Sequence, residues 1–370
     1  MSYHTHGGDV YRNKNVIDFS ANCNPFGTPK SVKEAAVQAM EEVFHYPDTD
    51  CQELREAIGV YEEVRPEWII CGNGAADLIY RLVLGTKPKQ AVLLAPTFAE
   101  YEQALEIVNC EVKHYELKEE NGFCVEETLL DWITEKTDIV FLCNPNNPTG
   151  VLLERKFILE VLKRCKEKNS LFVLDECFVD FVEEPENHTI KDMLKEYPNL
   201  FLLKAFTKRY AMAGVRLGYG LSSNRRLLEK IQHCGQPWAV STVAQKAGIA
   251  ALKEEEYVKV SMAYVHAQRK KLIKNLTLLG YKTFDSKANY IFFQGEEDLY
   301  EKCLEKGYQF PEVTSWIRAN KKDFQLVKDM GLKETGILVS CSDYHIFYKM
   351  KMTRFQAMFH YLSIVRDCLD

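Results

Sequence analysis

Phe201-Leu-Leu-Lys-Ala-Phe-Thr-Lys-Arg-Tyr-Ala-Met-Ala-Gly-Val-Arg-Leu-Gly-Tyr-Gly220 is the stretch on which the reading of this chain turns. An apolar run opens it and a glycine-containing run closes it. Between them stands Thr207-Lys208, with Arg216 further on. A lysine in apolar surroundings loses its proton readily and attacks carbonyls. An arginine close by stays charged and can hold a phosphate through its planar fork. A lysine between two strand-like runs is equally an ordinary solvated loop residue, so the preceding chain has to decide.

From Trp68 onward the pattern is strand, turn, helix, repeated. Ile69 to Leu82 reads as a short strand, a glycine turn and an apolar-periodic helix. Gln90 to Pro96 is a buried strand, and Ala99 to Val108 the helix after it. Asp138 to Pro145 is a strand broken by Asn-Asn-Pro-Thr-Gly150. Phe157 to Lys168 is a helix, and Ser170 to Asp175 a strand ending on a carboxylate. Continuous apolar strands alternating with amphipathic helices predict an α/β fold, a mainly parallel sheet covered on both faces. Ligands bind such sheets at the carboxyl ends of the strands, where Gly72–Ala76, Asn147, Asp175 and Lys208 fall. Upstream, Val32 to Val43 and the segment around Leu54 to Gly59 predict helices. Downstream, Val243 to Leu252, Glu254 to Leu278 and Asp298 to Glu305 predict further helices, and Ala288 to Phe293 a strand. Residues 28–245 are expected as the large domain. Residues 1–27 and 246–370 are expected as an N-terminal arm plus a smaller α+β domain.

Composition narrows the function. The 370 residues are 46% hydrophobic and 27% charged, as in an ordinary globular protein. Lys and Arg number 47 against 53 Asp and Glu, a net charge of −6 with no basic block, so no nucleic-acid partner is expected. No apolar run approaches the roughly 20 residues that span a bilayer, so no membrane partner is expected. The opening Met-Ser-Tyr-His-Thr-His lacks the layout of a signal peptide. The 12 cysteines are scattered singly, with no C-x-x-C pair. They predict reduced, mostly buried thiols in a cytoplasmic protein and no metal site.

Around the lysine the other residue types assemble one chemistry. Gly74-Ala75-Ala76 presents backbone N–H groups at a helix start, suited to a phosphate; a plain tight turn is the alternative. Asp175 at a buried strand end needs a cationic partner, for which a protonated pyridine nitrogen would serve. Asn147 can donate to a phenolate oxygen or simply form its turn, and Phe98 can stack on a flat ring or simply pack. Together they furnish what pyridoxal 5'-phosphate requires.

Asn144-Pro-Asn-Asn-Pro-Thr-Gly150, Asp175-Glu176, Thr207-Lys208 and Arg216-Leu-Gly-Tyr219 resemble the motifs of the fold-type I pyridoxal-phosphate enzymes, in the class I/II aminotransferase superfamily. The resemblance runs from His6 to about Phe293. It implies a sheet of the seven-stranded type sandwiched by helices, and Lys208 as the Schiff-base lysine and proton-transfer base. It further implies Asp175 on the pyridinium, Asn147 on the ring oxygen and Phe98 stacked on the ring. Gly74, Ala75, Ala76, Thr207 and Arg216 would hold the phosphate. Tyr46, just before a proline, would reach across a homodimer interface to the neighbour's cofactor phosphate.

Two groups within the superfamily compete. His6-Gly7-Gly8-Asp9-Val10 and Ser20 to Gly27 resemble the opening motifs of threonine-phosphate decarboxylase, an enzyme of cobalamin biosynthesis. This implies His6, Gly7 and Asn22 in the substrate pocket. Phe178, where aminotransferases usually place tyrosine, and Trp238 point the same way. The alternative is a histidinol-phosphate-type aminotransferase using glutamate and 2-oxoglutarate. A second alternative is a pyridoxal-phosphate-binding protein without catalysis. The C-terminal segment departs from the pattern: Tyr308 to Thr335 looks inserted, and Ser340 stands where a substrate-binding arginine is expected. Arg354 is the candidate carboxylate ligand, and Arg318 a substitute for the missing arginine.

Overall fold

The computed structural model describes residues 7, 8, 10, 11 and 20–295, together with the backbone of Ser315–Arg318 and Thr335–Leu338. Asn22–Gln294 form one compact unit, and Met1–Ala21 with Gly295–Asp370 a second. In the first, α1 (Lys30–Ala39) and α2 (Gln52–Glu62) precede β1 (Ile69–Gly72) and α3 (Ala75–Thr86). There follow β2 (Gln90–Ala95), α4 (Glu100–Ile107), β3 (Glu111–Glu116), a short α5 (Leu129–Trp132), β4 (Ile139–Cys143) and α6 (Arg155–Glu167). Next come β5 (Leu171–Asp175), β6 (Leu200–Ala205), α7 (Phe206–Arg209), β7 (Gly218–Leu221) and α8 (Arg225–His233). The unit closes with α9 (Thr242–Ala251), α10 (Glu255–Leu278) and the two-residue strands β8 (Lys282–Thr283) and β9 (Phe293–Gln294). In the second unit, β10 (Ser315–Arg318) and β11 (Thr335–Leu338) pair in parallel, and Gly8 N–H donates to Ser20 Oγ at 2.7 Å.

The main sheet has seven strands in the order β1-β7-β6-β5-β4-β2-β3. Only β7 runs against the rest, antiparallel to both β1 and β6; the other pairings are parallel. Successive side chains point to opposite faces, and both faces are covered. Val140 and Leu142 of β4 and Phe172 and Leu174 of β5 pack with α2 and α6. Phe141 and Cys143, with Val173, Phe201 and Leu203, pack with α3, α4, α8 and α10. Burial on both faces is why these strands read as unbroken apolar runs. The expected α/β fold, a mainly parallel sheet between helix layers, is the one observed.

Two elements differ from the sequence reading. The first helix stops at Ala39 and ends in a tighter 3-10 turn, Met40–Glu42. Of the strand expected over Ala288 to Phe293, only Phe293 pairs. Side chains take the carbonyls a neighbouring strand would have used. Arg269 Nη1 donates to Lys287 O at 2.7 Å and to Ala288 O at 2.9 Å, and Ser286 Oγ to Tyr290 O. The helix expected over Asp298 to Glu305 lies outside the described residues.

Candidate active site

The carboxyl ends of β1, β4, β5 and β6 share one edge of the sheet, and the turns leaving them build the site. β1 ends in Gly72, and Gly74, at φ +89°, starts α3. Gly74's positive φ disfavours any side chain, and a Cβ there would lie 2.6 Å from Arg216 Nη2 and push the guanidinium aside. At Gly218 no side chain fits, because a Cβ would lie 2.6 Å from the Ala75 nitrogen. The exposed Arg216, itself in the left-handed region at φ +61°, is thereby laid against the start of α3. A guanidinium beside a helix N-terminus attracts an anion, a phosphate above all.

Asp175 ends β5 at 4% exposure. Its Oδ2 accepts from the Tyr101 hydroxyl at 2.6 Å and its Oδ1 from the Cys177 N–H at 2.9 Å. Burial raises its carboxyl above the ordinary value, against hydrogen bonds from Cys177 and Tyr101. Among the described residues no cation pairs with it. Tyr101 is held in turn, stacked on Phe141 at 4.9 Å and met edge-on by Phe98 at 5.5 Å. Burial and the neighbouring Asp175 push its phenol well up, so it stays a donor.

β4 runs into the proline-rich loop. Asn146, not Asn147, ties that loop together: its side chain accepts from Thr97 Oγ1 at 2.9 Å and donates to Pro96 O at 3.0 Å and Thr149 Oγ1 at 3.1 Å. The half-buried Asn147 makes no side-chain hydrogen bond among the described residues, so its amide is free for a ligand.

Two lysines occupy the stretch from Phe201 to Gly220, and the structure separates their roles. Lys204 on β6 is buried between Glu62 at 3.2 Å and Glu176 at 3.4 Å. Burial would lower its pKa, but Glu62 and Glu176 outweigh it and hold it charged. Lys208, in the short α7, is half-buried and has no ion-pair or hydrogen-bond partner among the described residues. Its Nζ stands 5.7 Å from the centre of the Phe178 ring. The Asn24 N–H and side chain hold this turn through Lys208 O and Arg209 O, both at 2.9 Å. Phe178 is met edge-on by Tyr290 at 5.1 Å, and the Tyr290 hydroxyl donates to Asn146 O at 2.9 Å.

Arg216 thus lies against Gly74, and Gly218 against the Ala75 backbone. Phe98 joins Asp175 through Tyr101, and Lys208 joins the Asn146–Asn147 loop through Phe178 and Tyr290. Thr207 sits one residue before Lys208 on α7. Asn22, half-buried, accepts at its carbonyl from Asn289 Nδ2 at 3.0 Å. Tyr46 stands apart, 78% exposed and stacked on Trp238 at 4.4 Å. Gly7 belongs to the other compact unit, and His6 and Arg354 lie outside the described residues. Tyr101, Lys204 and Tyr290 went unassigned on sequence. The one signal for Tyr101 was its place a helical turn after Phe98.

The family model described as aminotransferase class I and II matches residues 14–340. The chain belongs to this family. It is 33% identical to threonine-phosphate decarboxylase of Salmonella typhimurium over 79% of this chain and 82% of that protein. It is 34% identical to histidinol-phosphate aminotransferase of Limosilactobacillus fermentum, over 83% and 87%. Its fold superposes with a TM-score of 0.72 on the crystal structure of the histidinol-phosphate aminotransferase from Clostridium acetobutylicum, at 29% identity, covering 78% of this chain and 86% of that one. With the family it is a pyridoxal-phosphate-dependent enzyme. The residues fit that cofactor. With no side chain at Gly74, the Arg216 guanidinium lies against a helix start, as a phosphate needs. A buried carboxylate without a cation, as at Asp175, is costly until a pyridinium meets it.

Proposed function

We propose that the protein is a pyridoxal-phosphate-dependent decarboxylase of an amino-acid phosphate, of the threonine-phosphate decarboxylase type. The observation that carries this reading is Phe178, 5% exposed beside Lys208. No phenol stands at that position, and the Tyr290 phenol packed against it is turned to the Asn146 carbonyl. A similar opening motif and 33% identity to a decarboxylase support it.

In this reading Gly74, whose N–H donates to Gly72 O at 2.8 Å, shapes the turn against the cofactor's phosphate; Ala75 and Ala76 offer it N–H groups, Thr207 its hydroxyl and Arg216 its guanidinium. Asp175, oriented by Tyr101, faces the ring nitrogen, Asn147 donates to the ring oxygen and Phe98 covers the ring. Bound there, pyridoxal phosphate supplies the electron sink for the pair released at the substrate's α-carbon. Lys208 anchors the cofactor and, at Nζ, holds the proton returned to that carbon. His6, Gly7, Asn22 and Asn147 are assigned in this reading to the substrate, and Arg354 to its carboxylate.

The active form in this reading is a homodimer in which Tyr46 reaches the neighbour's cofactor phosphate. Support comes from the exposed aromatic surface there, Tyr46 at 78% stacked on Trp238 at 45% exposed, with Phe44, two residues before Tyr46, at 78%. Among the described residues no helix is long and apolar enough to cross a membrane.

Transamination of a histidinol-phosphate-type substrate is the second reading, favoured by the 34% identity to such an enzyme. Incubation with O-phospho-L-threonine, with and without 2-oxoglutarate, separates the two. Carbon dioxide released regardless of the keto acid supports decarboxylation. Glutamate without carbon dioxide supports transamination.

A further inference from the structure

β5 and β6 lie side by side, but their ladder ends at Asp175 and Leu203. Phe178 and Lys208 both stand beyond that end, where only side chains can tie the two turns together. One ion pair does so. Arg209, the residue after Lys208, donates from Nη1 to Oδ1 of Asp180, two residues after Phe178, at 2.6 Å. The two side chains are 14% and 20% exposed. The guanidinium also lies over the rings of Tyr61 and Tyr210, 5.2 and 5.3 Å from their centres. Its Nε is buried with no hydrogen-bond partner among the described residues. A buried donor left unpaired is unfavourable, so packing alone does not account for an arginine here.

The pair closes a circuit around the lysine. Asp180 belongs to the single turn Val179–Phe181, where the Phe181 N–H donates to Phe178 O at 3.1 Å. On the other side, the Asn24 side chain holds Arg209 O and Ser261 Oγ, both at 2.9 Å. From Phe178 the circuit returns across 5.7 Å to Lys208 Nζ. Neither Arg209 nor Asp180 is assigned to cofactor or substrate in the reading above.

We propose that the Arg209–Asp180 pair positions Lys208: it clasps the lysine's turn to the turn carrying Phe178 and so fixes the direction in which Nζ meets the cofactor. The proposal rests on Lys208 carrying pyridoxal phosphate. With the pair removed, Asn24 still holds the carbonyls of Lys208 and Arg209, so the lysine keeps its place in the chain and its reactivity. What it loses is a fixed direction. Both residues are positioning residues, acting through the backbone of the two turns.

The test loads the full chain with pyridoxal phosphate, fixes a sample with borohydride and maps the labelled peptide. Circular dichroism in the cofactor's absorption band then reports how the bound ring is oriented. Arg209→Met alone strands the Asp180 charge and destabilises the fold by itself. The double variant Arg209→Met with Asp180→Leu strands no charge, and Asp180→Asn keeps the shape of the acid. Both should label at Lys208, as the unsubstituted protein does, with a severalfold weaker dichroic band. Arg209→Lys can still give Asp180 one N–H, which is all that Nη1 gives it, and should retain most of the band. A full band in the double variant or in Asp180→Asn overturns the proposal and leaves the pair a structural contact. An equal loss in Arg209→Lys overturns it too, since the ion pair would not be what orients the lysine. A label on another lysine of the unsubstituted protein overturns the assignment of Lys208, and the positioning role with it.

Discussion

The Tyr101 hydroxyl and Asp175 Oδ2 lie 2.6 Å apart, a buried phenol donating to a buried carboxylate that meets no cation among the described residues. The bond fixes which way the carboxylate faces. Tyr101→Phe leaves one carboxylate oxygen short of a donor and should cost about 1–3 kcal/mol of stability. The second effect is on the cofactor: a less oriented Asp175 should release pyridoxal phosphate severalfold faster. Urea unfolding and cofactor release by absorbance check the two, and an unchanged release rate would reduce Tyr101 to packing.

Asp175→Asn separates burial from function more sharply. Without cofactor, removing a buried and unpaired acid should leave stability unchanged or raise it, since burial of the ionised form is unfavourable. With cofactor, the amide cannot hold a pyridinium charge, and turnover should fall by at least 100-fold. Calorimetry of loaded and unloaded protein should therefore show a smaller gain on loading for the variant. An equal gain in both would remove Asp175 from the cofactor.

The two lysines of the central stretch predict opposite phenotypes. Lys208→Ala should fold normally, because Nζ has no ion pair to lose among the described residues, yet leave no cofactor fixable by borohydride. Lys204→Met should keep the fixable lysine but destabilise the fold by about 3–5 kcal/mol, since it strands Glu62 and Glu176 without their shared cation. Fixation at Lys204 in the first variant would reverse the assignment.

Glu62 makes the stability pH-dependent. Burial would raise its carboxyl, but Lys204, the Tyr219 hydroxyl at 2.5 Å and Lys191 outweigh it and hold it at about 2. A depressed folded pKa stabilises the fold above the unfolded value of 4.5 and is lost as pH falls towards 2. The span corresponds to about 3 kcal/mol. Urea unfolding of the native protein should weaken between pH 5 and 2 by about that much more than Glu62→Gln does. Parallel curves for the two would remove Glu62 from the pH response.

What the sequence disclosed and what it withheld follow from range. Strands such as Ile139–Cys143 announce themselves because both faces are buried, and Lys208, Asp175 and Gly74 because each sits in a short local motif. Tyr101 is 74 residues from Asp175, and Tyr219 is 157 from Glu62. No local pattern encodes such pairs; the sheet order brings them together. The truncated strand after Ala288 has the same origin, since Arg269 claims its carbonyls from a different element. Lys204 and Lys208 look alike in sequence because strand alternation, which sends Lys204 towards Glu62, shows only once β6 is placed.

Phe178→Tyr tests the choice of reaction. The ring is buried, packed edge-on against Tyr290, with Lys208 Nζ 5.7 Å from its centre. A hydroxyl added there must find a partner or cost about 1–3 kcal/mol as a buried polar group. The ring oxygen held by Asn147 and the Lys208 amine are the two partners the proposed site offers. Either would alter how Lys208 handles its proton, the step on which transamination depends and carbon dioxide loss does not. With O-phospho-L-threonine and 2-oxoglutarate, the variant should therefore form severalfold more glutamate per carbon dioxide than the unsubstituted protein, with thermal stability within a few degrees. An unchanged ratio would show that position 178 does not steer the reaction, and would shift the choice to the residues that bind the substrate's carboxylate.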